Sequence, residues 1–145
     1  MIKSNPSFSN KEISENVKIL FLILAKNEEI WERDRAFQEQ TWAKESAGRK
    51  IRFLYGSDDF KVKSENSIYI DCADEYRFIL RKSILGTKQV VNTFEFDFIV
   101  RTNVSTFFDV DKLLAKLEEK SLDLPIALGY FEQHEKEYSL QIPNR

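Results

Sequence analysis

The feature that most constrains the fold is a continuous apolar run at residues 17–25, VKILFLILA, which is interrupted only by Lys18. A strand with one face in water alternates apolar and polar residues, whereas a strand covered on both faces stays apolar throughout. The run therefore predicts a central strand of a parallel sheet with helices on both faces. It is much shorter than the roughly 20 apolar residues that cross a bilayer, so we expect no membrane span.

Further short apolar segments alternate with amphipathic stretches along the chain. Strands are predicted over residues 50–56, 67–73, 97–100 and 125–130. Helices are predicted over residues 28–43, over residues 74–94 and from Asp109 or Asp111 onward. Asp74 is the predicted N-cap of the second helix, and Gly86 within it is a predicted close-packing point. This order predicts an α/β fold, a three-layer sandwich with a mainly parallel sheet. Residues 1–16 are polar and are expected to form a flexible leader before one domain over residues 17–145.

The composition excludes several functional classes. With 22 basic and 24 acidic residues the net charge is -2, so no general attraction to nucleic acid is expected. A single cysteine and a single histidine exclude an internal disulfide, a Cys-rich zinc site and His-pair metal motifs. The four glycines form neither a dinucleotide fingerprint nor a P-loop. No secretory segment is present, so a cytoplasmic setting is the simplest expectation.

Polar residues follow the first two predicted strands, and ligands of open parallel sheets bind beyond such strand ends. Lys26 comes directly after the first strand and can face a phosphate, although Asn27 beside it suits a helix cap. Asp58 and Asp59 follow the second strand, where a carboxylate can accept hydrogen bonds from a ribose or a base. Gly, Ser and Asp also favour solvated turns for local reasons, and a turn or cap is the favoured interpretation in both places.

A third polar segment, RTNVS at residues 101–105, follows the fourth strand. Arg101 offers a planar fork of donors that matches phosphate oxygens, and Asn103 and Ser105 add an amide and a hydroxyl. The competing interpretation is a helix cap at Ser105 or Asp109, with Arg101 paired to a nearby carboxylate. The residue types alone favour neither interpretation.

Taken in order, these and neighbouring segments resemble the Fringe and beta-1,3-galactosyltransferase type of glycosyltransferase, which has the GT-A fold. The segments are RAFQEQTW with Arg35, RFLYG at residues 52–56, DEYRFILRKSILG with Asp74, Tyr76, Lys82 and Gly86, RTNVSTFF at residues 101–108, and ALGY at residues 127–130. The resemblance runs from residue 17 onward and covers only the nucleotide-sugar-binding half of such an enzyme.

The resemblance implies a Rossmann-like GT-A domain that binds a nucleotide-diphosphate sugar, with transfer of the sugar to a glycan or another acceptor. The implied substrate-binding residues are Lys26, Arg35, Asp58, Asp59, Lys82, Arg101, Asn103 and Ser105. The half that would bring the acceptor and a catalytic carboxylate is not covered, so no catalytic residue is assigned and enzymatic activity stays open. The alternative is a non-catalytic nucleotide-sugar-binding or interaction module, whose uncovered surface leaves room for a homodimer.

The resemblance also implies a manganese or magnesium ion held by an Asp-x-Asp triplet. Asn103, Val104 and Ser105 stand at the triplet positions, and neutral oxygens bind a hard dication far less well than carboxylates do. The sequence therefore disfavours a metal. It favours a cationic clamp in which Lys26, Lys82 or Arg101 neutralises the diphosphate directly.

Overall fold

The sheet and its helices confirm the α/β prediction in a computed structural model, which describes residues 17–56 and 65–119. The strands are β1 (Val17–Leu24), β2 (Arg49–Gly56), β3 (Ser67–Ile70) and β4 (Phe96–Asn103). The helices are α1 (Glu29–Gln40), α2 (Ile79–Thr93) after a 3-10 turn at Tyr76–Phe78, and α3 (Val110–Glu118). The strand order is β3-β2-β1-β4, and every pairing is parallel.

Strand β1 lies in the interior of the sheet and is covered on both faces, as its apolar run predicts. Residues 19–25 are all buried. The odd-numbered side chains of this run pack with Trp42 and Val110 on the side of α1 and α3. The even-numbered side chains pack with Val90 and Phe94 on the side of α2. The chain thus places one helical layer on each face of the sheet.

Two glycines let the neighbouring segments approach closely. A Cβ at Gly86 of α2 would overlap the side chain of Leu54, which confirms the predicted close-packing point. A Cβ at Gly56 would overlap the carbonyl oxygen of Cys72 and press on Asp74. The absence of side chains at these positions therefore brings α2 onto β2 and brings Asp74 to the carboxyl edge of the sheet.

Strand β4 runs further than the hydrophobicity of the sequence predicts. The predicted strand ends at residue 100, whereas β4 continues to Asn103, which pairs with Leu24 of β1. Arg101 and Asn103 are therefore strand residues. Parallel pairing with β1 satisfies the hydrogen-bonding groups of their backbone, while their side chains stay exposed. In contrast, β3 ends at Ile70 and α1 at Gln40, before the predicted ends at residues 73 and 43.

The prediction that Asp74 caps the second helix is wrong. The N-cap of α2 is Phe78, and the Asp74 carboxylate instead pairs with Lys82. Helix α1 begins after Glu28, which makes no capping hydrogen bond with its side chain. The cap predicted for the third helix is confirmed at Asp109, whose carboxylate accepts a hydrogen bond from the backbone N–H of Lys112 at 3.2 Å.

Several predictions concern residues outside the described ranges. They are the leader at residues 1–16, the carboxylates Asp58 and Asp59, and the fifth strand at residues 125–130. Within residues 17–56 and 65–119, no helix is long and apolar enough to cross a membrane.

Candidate functional site

A pocket of about 280 Å³ opens at the carboxyl edge of the sheet, beside the paired ends of β1 and β4. Its wall is formed by residues 24–26, Trp31, residues 74–76, Ile79, Lys82 and residues 103–105. Strand β1 has its sequence neighbour β2 on one side and the later strand β4 on the other. The pocket therefore lies at the point where the strand order reverses, which is where open α/β sheets bind ligands.

Lys82 ties three parts of the pocket wall together. Only 5% of the residue is exposed, and its ammonium group donates to the carboxylate of Asp74 and to the carbonyl oxygen of Ala25. Burial lowers the pKa of Lys82, and the attraction of Asp74 offsets this effect only in part. Because a buried charge that loses its partner is strongly destabilising, Lys82 fixes α2 against the end of β1 and against residue 74.

Lys26 is the more accessible cation of the pocket. Its side chain is 40% exposed and forms an ion pair with Glu28, which is itself half exposed. The hydrogen bond that the Lys26 ammonium group donates to the Glu28 carboxylate raises the pKa of Lys26. Exposed ion pairs of this kind contribute little to stability, so Lys26 can exchange Glu28 for another anion at small cost.

The part of the pocket wall that follows β4 is held in place by Gln38, which the sequence pattern did not predict as a site residue. Gln38 belongs to α1 and is only 2% exposed. Its side-chain N–H groups donate to the carbonyl oxygens of Val104 at 2.6 Å and Thr106 at 2.7 Å. The backbone N–H of Val104 also donates to the carbonyl of Leu24 at 3.1 Å. These bonds fix the segment that carries Asn103 and Ser105.

Arg101 does not line the pocket. Its guanidinium donates to the hydroxyl of Ser83 on α2 at 3.3 Å, so its described hydrogen bond goes to a hydroxyl rather than to a carboxylate. Burial lowers the pKa of Arg101, which remains a strong base. Arg101 and Lys82 therefore lie on the same side of the sheet but do not share one hollow.

Arg35 also lies away from the pocket. It stands on α1 between the carboxylates of Glu32 at 3.2 Å and Glu39 at 2.9 Å, and its guanidinium lies 5.6 Å from the centre of the Phe53 ring. Of the eight residues predicted for the site, the structure brings four to one pocket: Lys26, Lys82, Asn103 and Ser105. Two lie elsewhere, and Asp58 and Asp59 are outside the described residues.

Two aromatic side chains complete the wall. Trp31 is partly buried against the core and also lines the pocket, and Tyr76 is 88% exposed at its rim. The carboxylates of the wall are both paired, Asp74 with Lys82 and Glu75 with Arg77 at 2.8 Å. The pocket thus combines aromatic faces and neutral polar groups with one accessible cation.

The first turn of α1 is already acidic. Glu28 precedes the helix, and Glu29 and Glu32 lie in its first turn. The positive end of a helix dipole is a common phosphate site, but here the protein supplies its own carboxylates next to it. An anionic ligand is therefore directed away from this helix and toward Lys26 and the segment after β4.

The described residues of the pocket wall do not fit a manganese or magnesium ion. Asn103 and Ser105 offer neutral oxygens, and the nearby Asp74 carboxylate is engaged by Lys82. No cluster of three His, Cys, Asp or Glu side chains in the described part of the chain is arranged to hold a metal.

Comparisons of the chain with family models, with curated proteins and with solved structures find no match. The chemistry and position of the pocket are therefore the basis on which a function is assigned.

Proposed function

We propose that the chain is the donor-binding part of a GT-A glycosyltransferase, which binds a nucleotide-diphosphate sugar for transfer to an acceptor hydroxyl. The observation that carries the proposal is that Lys26, Lys82 and residues 103–105 meet around one pocket at the point of strand reversal. These residues come from three distant segments. Two of the segments, residues 74–86 and 101–108, carry the resemblance to this class of enzyme.

The size of the pocket limits what it holds. Sites for drug-sized ligands measure about 300–1,000 Å³, and this pocket of about 280 Å³ is slightly smaller than that range. We therefore expect one ring system of the nucleotide sugar to enter the pocket against Trp31 and Tyr76. The remainder of the ligand lies along the open carboxyl edge, beside Asn103 and Ser105.

Lys26 is the residue that we assign to the diphosphate. Sugar transfer leaves negative charge on the departing diphosphate, and a positioned cation stabilises that charge. Lys26 can replace its exposed contact with Glu28 by a charge-assisted bond to a phosphate oxygen. Lys82 stabilises the pocket wall through its hydrogen bonds to the Asp74 carboxylate and the Ala25 carbonyl oxygen. Arg101, which lies outside the pocket wall, has no role in this clamp.

A second candidate function is a module that binds a nucleotide sugar without transferring it. Both carboxylates of the pocket wall are paired with cations, Asp74 with Lys82 and Glu75 with Arg77. A carboxylate that is already paired with a neighbouring cation is a poor general base, because the ion pair must be broken before the carboxylate can take up a proton. The pairing therefore favours binding over catalysis within this part of the chain.

The proposal is tested by measuring binding of UDP-, GDP- and dTDP-sugars to the full chain by calorimetry, with and without manganese. We expect one nucleotide class to bind, and Lys26→Ala to weaken its binding about tenfold, the loss of one charge-assisted bond. Lys44→Ala removes an exposed lysine that is not part of the pocket wall and serves as the matched control. No binding of any nucleotide sugar, or equal losses in the two variants, would overturn the proposal.

Turnover separates the two candidate functions. Release of free nucleoside diphosphate from the bound donor supports a transferase. Stable binding without release, in the presence of simple sugar acceptors, supports the binding module.

A further inference from the structure

The outer face of α2 carries an apolar stripe. Leu80 is 70% exposed, Ile84 47% and Val91 50%. At about 100° per residue these side chains fall within about 40° of one another around the helix axis, along about 16 Å of its length. The opposite face of α2, with Lys82, Gly86 and Val90, is buried. Large exposed apolar groups in one line are typical of a contact surface.

The charged side chains of α2 itself are all positive. No acidic residue occurs between Glu75 and Glu95, although the whole chain has a net charge of -2. Arg81 and Lys88 are exposed on one side of the stripe, and neither forms an ion pair with another described residue. On the other side, Arg101 of β4 is anchored to Ser83. The surface therefore combines aliphatic groups with exposed basic side chains, and Asp71, which lines a second pocket together with Arg81, forms no ion pair with it.

The positive sign of these charges indicates the kind of partner that this face of α2 fits. In a symmetric dimer built on this face, Arg81 and Lys88 would approach the same residues of a second copy, and the like charges would repel. A narrow aliphatic line between basic side chains instead matches an anionic lipid surface, where cations contact head groups and the apolar side chains enter the acyl boundary. We propose that this face of α2 docks the protein on membranes that contain anionic lipid.

The contact is peripheral and reversible. The stripe presents three aliphatic side chains rather than a spanning segment, and no helix of the described residues crosses a membrane. Attraction between basic residues and anionic head groups falls with ionic strength, so docking is salt-sensitive. The inference goes beyond the proposed function and does not depend on it.

Flotation of the full chain with vesicles tests the proposal. We expect binding to equimolar phosphatidylcholine and phosphatidylserine, and little binding to phosphatidylcholine alone. The charge reversal Arg81→Glu with Lys88→Glu is expected to lower the partition coefficient at least about tenfold, since each basic residue near the surface contributes to the attraction. Leu80→Ser with Ile84→Ser leaves the charge unchanged and is also expected to weaken binding.

Lys44→Glu with Lys116→Glu provides the matched control. It makes the same change in net charge at two exposed lysines, one after α1 and one on α3. Circular dichroism checks that every variant is folded. The proposal is overturned if anionic vesicles do not bind the chain, or if the control pair weakens binding as much as the α2 pair. It is also overturned if light scattering shows a dimer that Leu80→Ser dissociates, because the stripe is then a protein interface.

Discussion

The ammonium group of Lys82 reaches from α2 to the carboxylate of Asp74, and both side chains are almost fully buried, at 7% and 13% exposure. Lys82 lies eight positions after Asp74 in the sequence, so the pair joins a helix to the loop before it. The carbonyl oxygen of Ala25 receives a second hydrogen bond from the same ammonium group. This arrangement makes Lys82 central to the stability of the pocket.

Lys82→Met is expected to lower the free energy of unfolding by about 3–5 kcal/mol, because it leaves the Asp74 carboxylate buried without its cation. Urea denaturation measures the loss. Lys82→Met combined with Asp74→Asn removes both charges and is expected to recover part of the stability. Strictly additive losses in the double variant would show that the two side chains do not stabilise each other.

Gln38→Leu is expected to destabilise the fold by about 1–3 kcal/mol, since the carbonyl oxygens of Val104 and Thr106 lose a buried donor. If the proposed donor site is correct, nucleotide-sugar affinity falls as well, because the segment with Asn103 and Ser105 is no longer fixed. Denaturation and calorimetry measure the two effects. Gln40→Leu alters an exposed amide of the same helix and is expected to change neither. Similar results for both variants would contradict the role of Gln38.

Gly86→Ala is expected to cost about 1–3 kcal/mol, because the added methyl group overlaps the side chain of Leu54. Shortening that neighbour should relieve the overlap. In Gly86→Ala with Leu54→Ala, the loss is therefore expected to be smaller than the sum of the two single losses, as measured by urea denaturation. If the double variant loses as much stability as the sum of the two single losses, or more, α2 shifts away from β2 instead.

Asp109→Ala is expected to reduce stability at neutral pH by removing the cap of α3. The hydrogen bond with Lys112 lowers the pKa of Asp109 below its ordinary value of 3.8. A carboxyl group whose pKa is lower in the folded state stabilises the fold above its unfolded-state pKa, and this effect is lost as pH falls through the folded-state pKa. The difference between the wild type and Asp109→Ala should therefore shrink in acid. Asp109→Asn keeps a capping oxygen and is expected to lose less than Asp109→Ala at neutral pH. A difference that is constant with pH would contradict the assignment.

Local sequence patterns predicted those features of the fold that depend on the properties of a single residue or a single segment. The apolar run of β1 predicted burial on both faces, because only such burial makes every side chain of a strand apolar. Gly86 predicted a close approach, and Asp109 was one of the two residues predicted to cap α3. Each of these features depends on the residue's own size, charge or position in an amphipathic pattern.

Features decided by tertiary partners were not predictable in the same way. Asp74 is of a residue type that often caps helices, but its carboxylate forms an ion pair with the buried side chain of Lys82. Arg101 follows an apolar strand and was expected in a loop, yet pairing with β1 keeps it within β4. Gln38 contacts a segment more than sixty residues away in the sequence. Its position on the buried face of α1 is the one feature of the sequence pattern that could have predicted this contact.

Tyr76 belongs to two surfaces, since it lines the rim of the pocket and stands one helical turn before Leu80 at the head of the stripe. A protein lying on a bilayer by that stripe would place the rim of the pocket at Tyr76 close to the membrane surface. A long-chain amphiphile would then reach the open carboxyl edge by diffusing sideways in two dimensions, with its tail still embedded and without first dissolving in water.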